Sequence, residues 1–295
     1  MGLRTLAIAV LFASLAMVSD TAKSAPEQGM WKLRDAFARV SDTGVEYVQA
    51  HQLQSGGFAE PGGQPSPELT AWAVLGLRAA GGGASSSALS YIVEHESDLT
   101  DLTDVELAAM AESVLGRRPE RILARITAAT KPSGRIGPTV NSTTWAVLAL
   151  RQAGDKAPRS AIRYVLRAQA RSGGWGWAPG GAPDSNDTAA AIQALRAAGT
   201  RGAPIRRGLA YLRRLQNRDG GFELTPGRGS DSQSTAWAIQ AFVAARKPVP
   251  RGAFGYIHRM RRSNGSYRYS ARYVTTPVWV TAQVLPALAR RPFPL

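Results

Sequence analysis

The chain has 295 residues, 44% of them hydrophobic, with no cysteine and a formal net charge of +15. That length supports one large core or two small ones. The missing cysteines exclude disulfides, thiolate metal sites and a lipoprotein anchor. The positive charge comes mostly from arginine, in clusters at Arg117-Arg118, Arg206-Arg207, Arg213-Arg214 and Arg259-Arg261-Arg262. Such a field suits an anionic surface, but no nucleic-acid motif accompanies it, and nucleic acid is not expected as a partner.

Arg4, an uncharged apolar run over Leu6–Val18 and small residues through Ala22-Lys23-Ser24 form a secretory signal pattern. The run is too short for an ordinary membrane span. The expectation is a signal over residues 1–24, a lead-in segment over 25–42 and an exported, soluble, monomeric body over 43–295, at the cell envelope or beyond.

That body is repetitive. The stretch Ser172–Gly199 reads as a Gly-Trp turn, a Pro/Gly-rich loop ending in acids, and an Ala-rich helix stopped by glycine. The same order follows Ser55 (SGGF), Ser133 (SGR), Asp219 (DGGF) and Asn264 (NGSY). Each turn is preceded by an amphipathic helix. Tyr47-Val48 leads to Gln52 and Phe58, Tyr164-Val165 to Gln169 and Trp175, and Tyr211-Leu212 to Gln216 and Phe222. Tyr256-Ile257 leads to Tyr267, with Arg261 where glutamine is expected. Glycine stops each helix and the aromatic covers the turn.

Aligned on their glycine ends, the second helices share a column: Trp72, Leu107, Trp145, Ala190, Trp237 and Trp279. Six units result, the second lacking its Gly-aromatic turn. The runs over Ala71–Leu77 and Trp145–Leu150 carry too little polar surface to face water and are expected inside. The arginine-bearing first helices are expected outside. Hairpins that cannot bury their apolar faces alone must stack, and six of them close into a ring. Period-2 alternation is absent, which argues against strands. The expected fold is all-α, a single α/α toroid of six helical hairpins.

The pattern K/R-G-x-x-aromatic-aliphatic-xxx-Gln-x(3)-Gly-x-aromatic resembles the QW repeat of terpene cyclases. The wider family is the squalene cyclase, squalene oxidase and protein prenyltransferase repeat. The pattern is nearly complete over Arg207–Phe222, good over Arg159–Trp175 and Gly44–Phe58, and weak over Arg251–Tyr267. The resemblance spans roughly Thr43–Ala289. It implies the toroid fold, while the fold itself carries many activities.

Asp184-Ser185-Asn186-Asp187-Thr188-Ala189 is similar to the DxDDTA motif of squalene–hopene-type cyclases. In that family the central aspartic acid protonates a double bond. Asn186 stands at that position here, and a carboxamide cannot supply that proton. Asp184 and Asp187 match supporting positions, so cyclisation is not the expected activity. The triterpene cyclases also use two helical barrels, where this body offers one. The zinc of the prenyltransferase branch has no thiolate here, and His51, His95 and His258 fall on outer helices or their ends. No metal or cofactor is expected.

A second account of the hexapeptide is helix capping. Polar residues recur at Glu68, Thr103, Asn141, Asn186, Gln233 and Thr275, one per inner helix, where they would satisfy free N–H groups. Four residues on, Trp72, Trp145, Trp237 and Trp279 share that face. They serve either as an aromatic pocket or as core between helices. Trp175 and Trp177 belong to the turn. The candidate ligand contacts are Glu68, Trp72, Asn141, Trp145, Asp187, Gln233, Trp237 and Trp279. The expected function is binding of an apolar small molecule, an isoprenoid, another lipid or a cobalamin-like cofactor. A class II terpene cyclase, a partner-binding toroid and, more distantly, a carboxylate-based sugar hydrolase remain as alternatives.

Overall fold

A computed structural model describes residues 43–295 apart from residue 85; the expected signal and lead-in segments lie outside the described residues. In chain order the helices are α1 (residues 43–49) and α2 (Pro67–Ala79), α3 (Ser86–Glu94) and α4 (Leu102–Val114), α5 (Glu120–Ala128) and α6 (Val140–Gln152). Then follow α7 (Arg159–Arg167) and α8 (Ser185–Ala197), α9 (Ala203–Arg214) and α10 (Ser232–Ala244), α11 (Ala253–Met260) and α12 (Pro277–Leu288). The even-numbered helices pack each on the next, and α12 packs on α2, closing a ring of six. The odd-numbered helices lie outside them. This is the α/α toroid that the repeats predict.

The division between rings follows from the side chains. Along α6, every residue from Val140 to Leu150 is buried, whereas α7 buries only Ala161 and Val165 and turns its arginines outward. The only regular sheet among the described residues is a two-residue antiparallel pair, β1 (Phe222–Glu223) with β2 (Ser230–Asp231), inside one loop. None of the described helices is long and apolar enough to cross a membrane.

The Gly-aromatic turn is the joint between hairpins. In each complete unit the N–H of the turn residue donates to a threonine on the following inner helix. Phe58 reaches Thr70 at 2.9 Å, Ile136 reaches Thr143 at 3.0 Å and Trp175 reaches Thr188 at 2.9 Å. Phe222 reaches Thr235 at 2.8 Å and Tyr267 reaches Thr281 at 3.0 Å. The repeat glutamine spans two units: Gln169 Nε2 donates to Gly173 O at 2.8 Å and to Pro204 O at 2.9 Å. Gln216 does the same for Gly220 and Arg251. In the last unit Arg261 takes over, its guanidinium donating to Thr43 Oγ1 at 2.8 Å across the seam of the ring.

Glycine is required at these joints by space as well as by dihedral angle. Gly173 has φ +95°, and a Cβ there would stand 2.7 Å from Arg207 O. At the seam Gly265 has φ +88° and would meet Thr43 O at 2.3 Å. Side chains are excluded on both counts. Many arginines stitch neighbouring units together. Arg118 pairs with Asp155 at 3.0 Å and Arg207 donates to Gln169, while within one hairpin the Arg213 guanidinium lies 4.9 Å from the Phe242 ring centre.

Candidate functional site: the acidic mouth of the ring

The N-terminal ends of the inner helices surround one mouth of the ring, which holds a cavity of 360 Å³. Its floor is a triangle of indoles. Trp72, Trp145 and Trp237 meet edge to face, with ring centres 5.6 Å (Trp72–Trp145), 5.9 Å (Trp72–Trp237) and 5.6 Å (Trp145–Trp237) apart. Such pairs are favoured by the ring quadrupole. Trp72 is half-buried, while Trp145 and Trp237 are only 5% and 3% exposed. The tryptophans are therefore both core and cavity floor; the two readings of the column are not alternatives.

One wall is a chain of hydrogen bonds running from helix to helix. Thr103 Oγ1 on α4 donates to Asn141 Oδ1 on α6 at 3.0 Å, and Asn141 Nδ2 donates to Asp187 Oδ1 on α8 at 2.6 Å. Asp187 is 7% exposed. Burial, reinforced by the charge of Asp184, pushes its carboxyl up to about 8 against the Asn141 bond. Burial also raises Asp184. Burial thus biases both acids toward the neutral form, and the charge of Asp184 reinforces this at Asp187. Across the mouth, burial and then the charges of Glu68 and Asp101 push Asp104 up to about 6. Among the described residues, no lysine or arginine lines the cavity, in a chain of net charge +15.

The hexapeptide divides its work by position. Asp184 is the cap of α8, accepting from Asp187 N at 2.8 Å. Asn186 lines the cavity and caps nothing. The same correction holds around the ring: the capping side chains sit two residues before the expected column. They are Ser66, Asp101, Thr139, Asp184 and Asp231. The N-cap residue must precede the first helical turn for its oxygen to reach N2 or N3, so residues inside that turn are free to face the axis. Thr103, Asn141, Asn186 and Gln233 do so.

Of the eight expected ligand contacts, Trp72, Asn141, Trp145, Asp187, Gln233 and Trp237 line this cavity, whereas Glu68 and Trp279 do not. Glu68 instead lies close enough to Tyr91 and Asp104 for its charge to raise both. For Trp279 the cause is register. Helix α12 is cut short: its left-handed residue, Arg290 (φ +53°), stands nine positions after the turn threonine Thr281, whereas Gly81 and Arg246 stand eleven after Thr70 and Thr235. Anchored on the turn threonine instead, Thr281 matches Thr70 and Thr235, so Gln283 is the counterpart of Trp72 and Trp237. Gln283 Oε1 accepts from Trp237 Nε1 at 2.9 Å, which places it in the tryptophan layer. Trp279 stands one turn nearer the rim. The expected cap Thr275 is likewise displaced: Thr276 precedes α12 and makes no capping bond.

Eight cavity residues have no place among the expected contacts: Asp101, Thr103, Asp104, Trp177, Asp184, Asn186, Ala190 and Leu224. Trp175 is the turn-covering residue, buried with Nε1 donating to Val165 O at 2.7 Å. Trp177, 49% exposed, stands at the rim. Its carbonyl accepts from Val140 N at 3.0 Å and Asn141 N at 3.1 Å, at the start of the preceding inner helix. Leu224 O and Tyr269 O do the same for Ser185 and Ser232. The histidines lie away from the cavity: His51 and His95 bond the carbonyls of Tyr47 and Tyr91, and His258 lies on α11.

No protein-family model and no curated protein matches the sequence. Solved structures match the fold. A protein from Actinoplanes aligns with TM-score 0.66 and 18% identity over 86% of this chain and 99% of that one. An Asp-to-Asn variant of the type II terpene cyclase MstE from Scytonema, in complex with geranylgeranyl dihydroxybenzoate as substrate, aligns with TM-score 0.62 and 14% identity over 87% and 97%. Candida albicans protein geranylgeranyltransferase-I, complexed with GGPP, aligns with TM-score 0.59 and 12% identity over 77% and 86%. The chain has a terpene cyclase/prenyltransferase-like toroid fold. Within this toroid, the acidic mouth with its indole floor is the candidate site.

Proposed function

We propose that this terpene cyclase-like toroid is an exported binding protein that holds an isoprenoid, or an apolar chain of similar shape, in the mouth of its ring. The observation that carries the reading is the indole floor beneath a buried carboxyl, Asp187, whose burial and acidic neighbour favour its neutral form. An apolar ligand covering an ionised carboxylate would lose its hydration at high cost, whereas covering a protonated, hydrogen-bonded acid costs far less. With Asp187 protonated, the mouth is more hospitable to hydrocarbon than its four aspartates suggest. Its volume lies within the range of small-molecule sites. The N-terminal signal pattern supports export, and the isoprenoids bound by MstE and the geranylgeranyltransferase support the ligand class.

The same acid supports a second reading, proton-initiated cyclisation with Asp187 in place of the missing acid at 186. Acid strength weighs against it. An alkene is a very weak base, and a donor raised to about 8 is a feeble acid. Titration of the purified chain with geranylgeraniol, followed by indole fluorescence, tests the binding reading. Saturable quenching at micromolar ligand, weakened by Trp72→Ala, is the expected result. Absence of saturation, or an unchanged response in Trp72→Ala, would remove it. Gas chromatography of the same mixtures reports on cyclised product.

A further inference from the structure

The opposite end of the ring is closed by the chain itself. After α12, Arg290 turns the backbone with φ +53°, its guanidinium lying 4.7 Å from the Phe254 ring centre. The following residues run back into the ring. Phe293 is 2% exposed, and its ring centre lies 6.3 Å from Trp72, 6.4 Å from Trp145 and 6.0 Å from Trp237. It therefore contacts the indole floor that bounds the mouth. Carboxamides of the inner helices hold the segment. Gln193 Oε1 accepts from Phe293 N at 2.8 Å. Gln152 Oε1 accepts from Leu295 N at 2.7 Å, and Gln152 Nε2 donates to Leu295 O at 3.2 Å.

The polarity of this axial region is unusual for a packed core. Gln193, Gln240 and Gln283 are each at most 1% exposed, and each retains one side-chain atom without a hydrogen-bond partner among the described residues: Gln193 Nε2, Gln240 Oε1 and Gln283 Nε2. Leaving such groups unpaired is costly, and native cores seldom do it without cause. Gln193 shares a helix face with Ala190 of the mouth, and Gln240 with Trp237. The bonds that hold Phe293 and Leu295 run to side chains, and water or a ligand can replace them.

We propose that residues 290–295 are an intramolecular plug that sets the depth of the cavity. Withdrawing Phe293 from beneath the indoles would join the mouth to a chamber along the axis, fitted to a longer chain than the closed mouth accepts. This rests on the binding reading of the mouth for its ligand class. The plug competes with the far end of a long ligand, while a short ligand that stays above the indoles is indifferent to it. The ring thereby discriminates chain length by the occupancy of its own segment.

The test compares geraniol, with ten carbons, and geranylgeraniol, with twenty, on the full chain, on Phe293→Ala and on a chain ending at Ala289. Affinity for geranylgeraniol should rise about ten-fold in both altered forms, about the gain from one displaced apolar group. Geraniol should bind all three alike. Adding the peptide Arg-Arg-Pro-Phe-Pro-Leu to the shortened chain should reverse the gain. Equal shifts for both alcohols, or no shift for either, would overturn the plug. Should no form bind either alcohol, the reading of the mouth fails while the plug is still judged by indole emission. A change on shortening that the peptide reverses supports it; no such reversal overturns it. If the shortened chain does not fold, Phe293→Ala against the full chain decides.

Discussion

Glu60 and Trp279 are 219 residues apart in sequence and bonded in space: Glu60 Oε1 accepts from Trp279 N at 2.8 Å, and Glu60 Oε2 from Val278 N at 2.9 Å. In three other units a loop carbonyl, from Trp177, Leu224 or Tyr269, makes this link to the preceding inner helix. At the seam a carboxylate replaces the carbonyl. The first repeat thus caps the last, at a helix whose own preceding residue, Thr276, makes no capping bond.

Glu60→Ala should therefore loosen closure of the ring more than an ordinary surface change. Two N–H groups at a helix N-terminus lose a charged acceptor, an effect of about 1–2 kcal/mol. Glu60→Gln keeps one acceptor oxygen and should lose less. Urea unfolding of the three forms gives the ranking. Equal midpoints would show that the seam is held by α12 on α2 alone.

The Asp187 carboxyl makes a pH prediction whose sign runs against the usual carboxylate. Its folded value, about 8, lies above the unfolded value, so the folded state binds the extra proton between them. Stability must then fall as pH rises from about 4 to about 8, and level off above. Asp104 and Asp231, each raised to about 6, add to the decline over the lower half of that window. In Asp187→Asn the decline above pH 6 should largely disappear, with the variant overtaking the native chain near pH 8. Ligand affinity should follow the same ionisation, dropping above pH 8 in the native chain only. Thermal melts and indole titrations across pH 5–9 measure both.

Much of this architecture was legible in the sequence because the joints repeat. Gln169, Gly173 and Trp175 recur as Gln216, Gly220 and Phe222, and the residues that a joint requires betray it wherever they recur. Where the joint changes chemistry, the reading slips. Helix α12 reaches its left-handed residue, Arg290, two positions early, so an alignment on helix ends misplaces Trp279 and conceals Gln283 as a member of the axial layer. The mouth was only partly legible. The polar column marks its wall, but Asp101 and Asp104 belong to the degenerate second unit, where a short 3-10 turn (Glu96–Asp98) replaces the Gly-aromatic turn. Trp177 contributes through its backbone to a neighbouring helix, which no local pattern announces. The upward shift of Asp187 comes from burial and the charge of Asp184, against the bond from Asn141 on a neighbouring helix, and so it follows from the assembled ring and from no single motif.

Asn186→Asp separates binding from catalysis. The substitution places a carboxyl on the cavity wall between Asp184 and Asp187, at the position that resembles the family's central acid. The native chain should yield no cyclised product from a polyprene, and the variant should yield some, read by gas chromatography with mass detection. Product from the native chain would assign proton donation to Asp187. Product from neither form would leave the mouth as a binding site whatever occupies position 186.

The indole floor depends on one polar bond as well as on packing. Trp237→Phe removes the Nε1 donor from Gln283 Oε1, whose amide Nε2 already lacks a partner. Both ends of a buried carboxamide would then be unpaired, adding about 1–3 kcal/mol to the loss from the smaller ring. Trp145→Phe trims the same side chain in the same layer without touching that bond, so it should be the milder change. The double substitution Trp237→Phe with Gln283→Leu replaces both partners by apolar groups and should recover much of the added loss. Urea unfolding of the four forms decides it: if Trp237→Phe and Trp145→Phe are equally destabilised, the bond contributes nothing and the floor is held by ring packing alone.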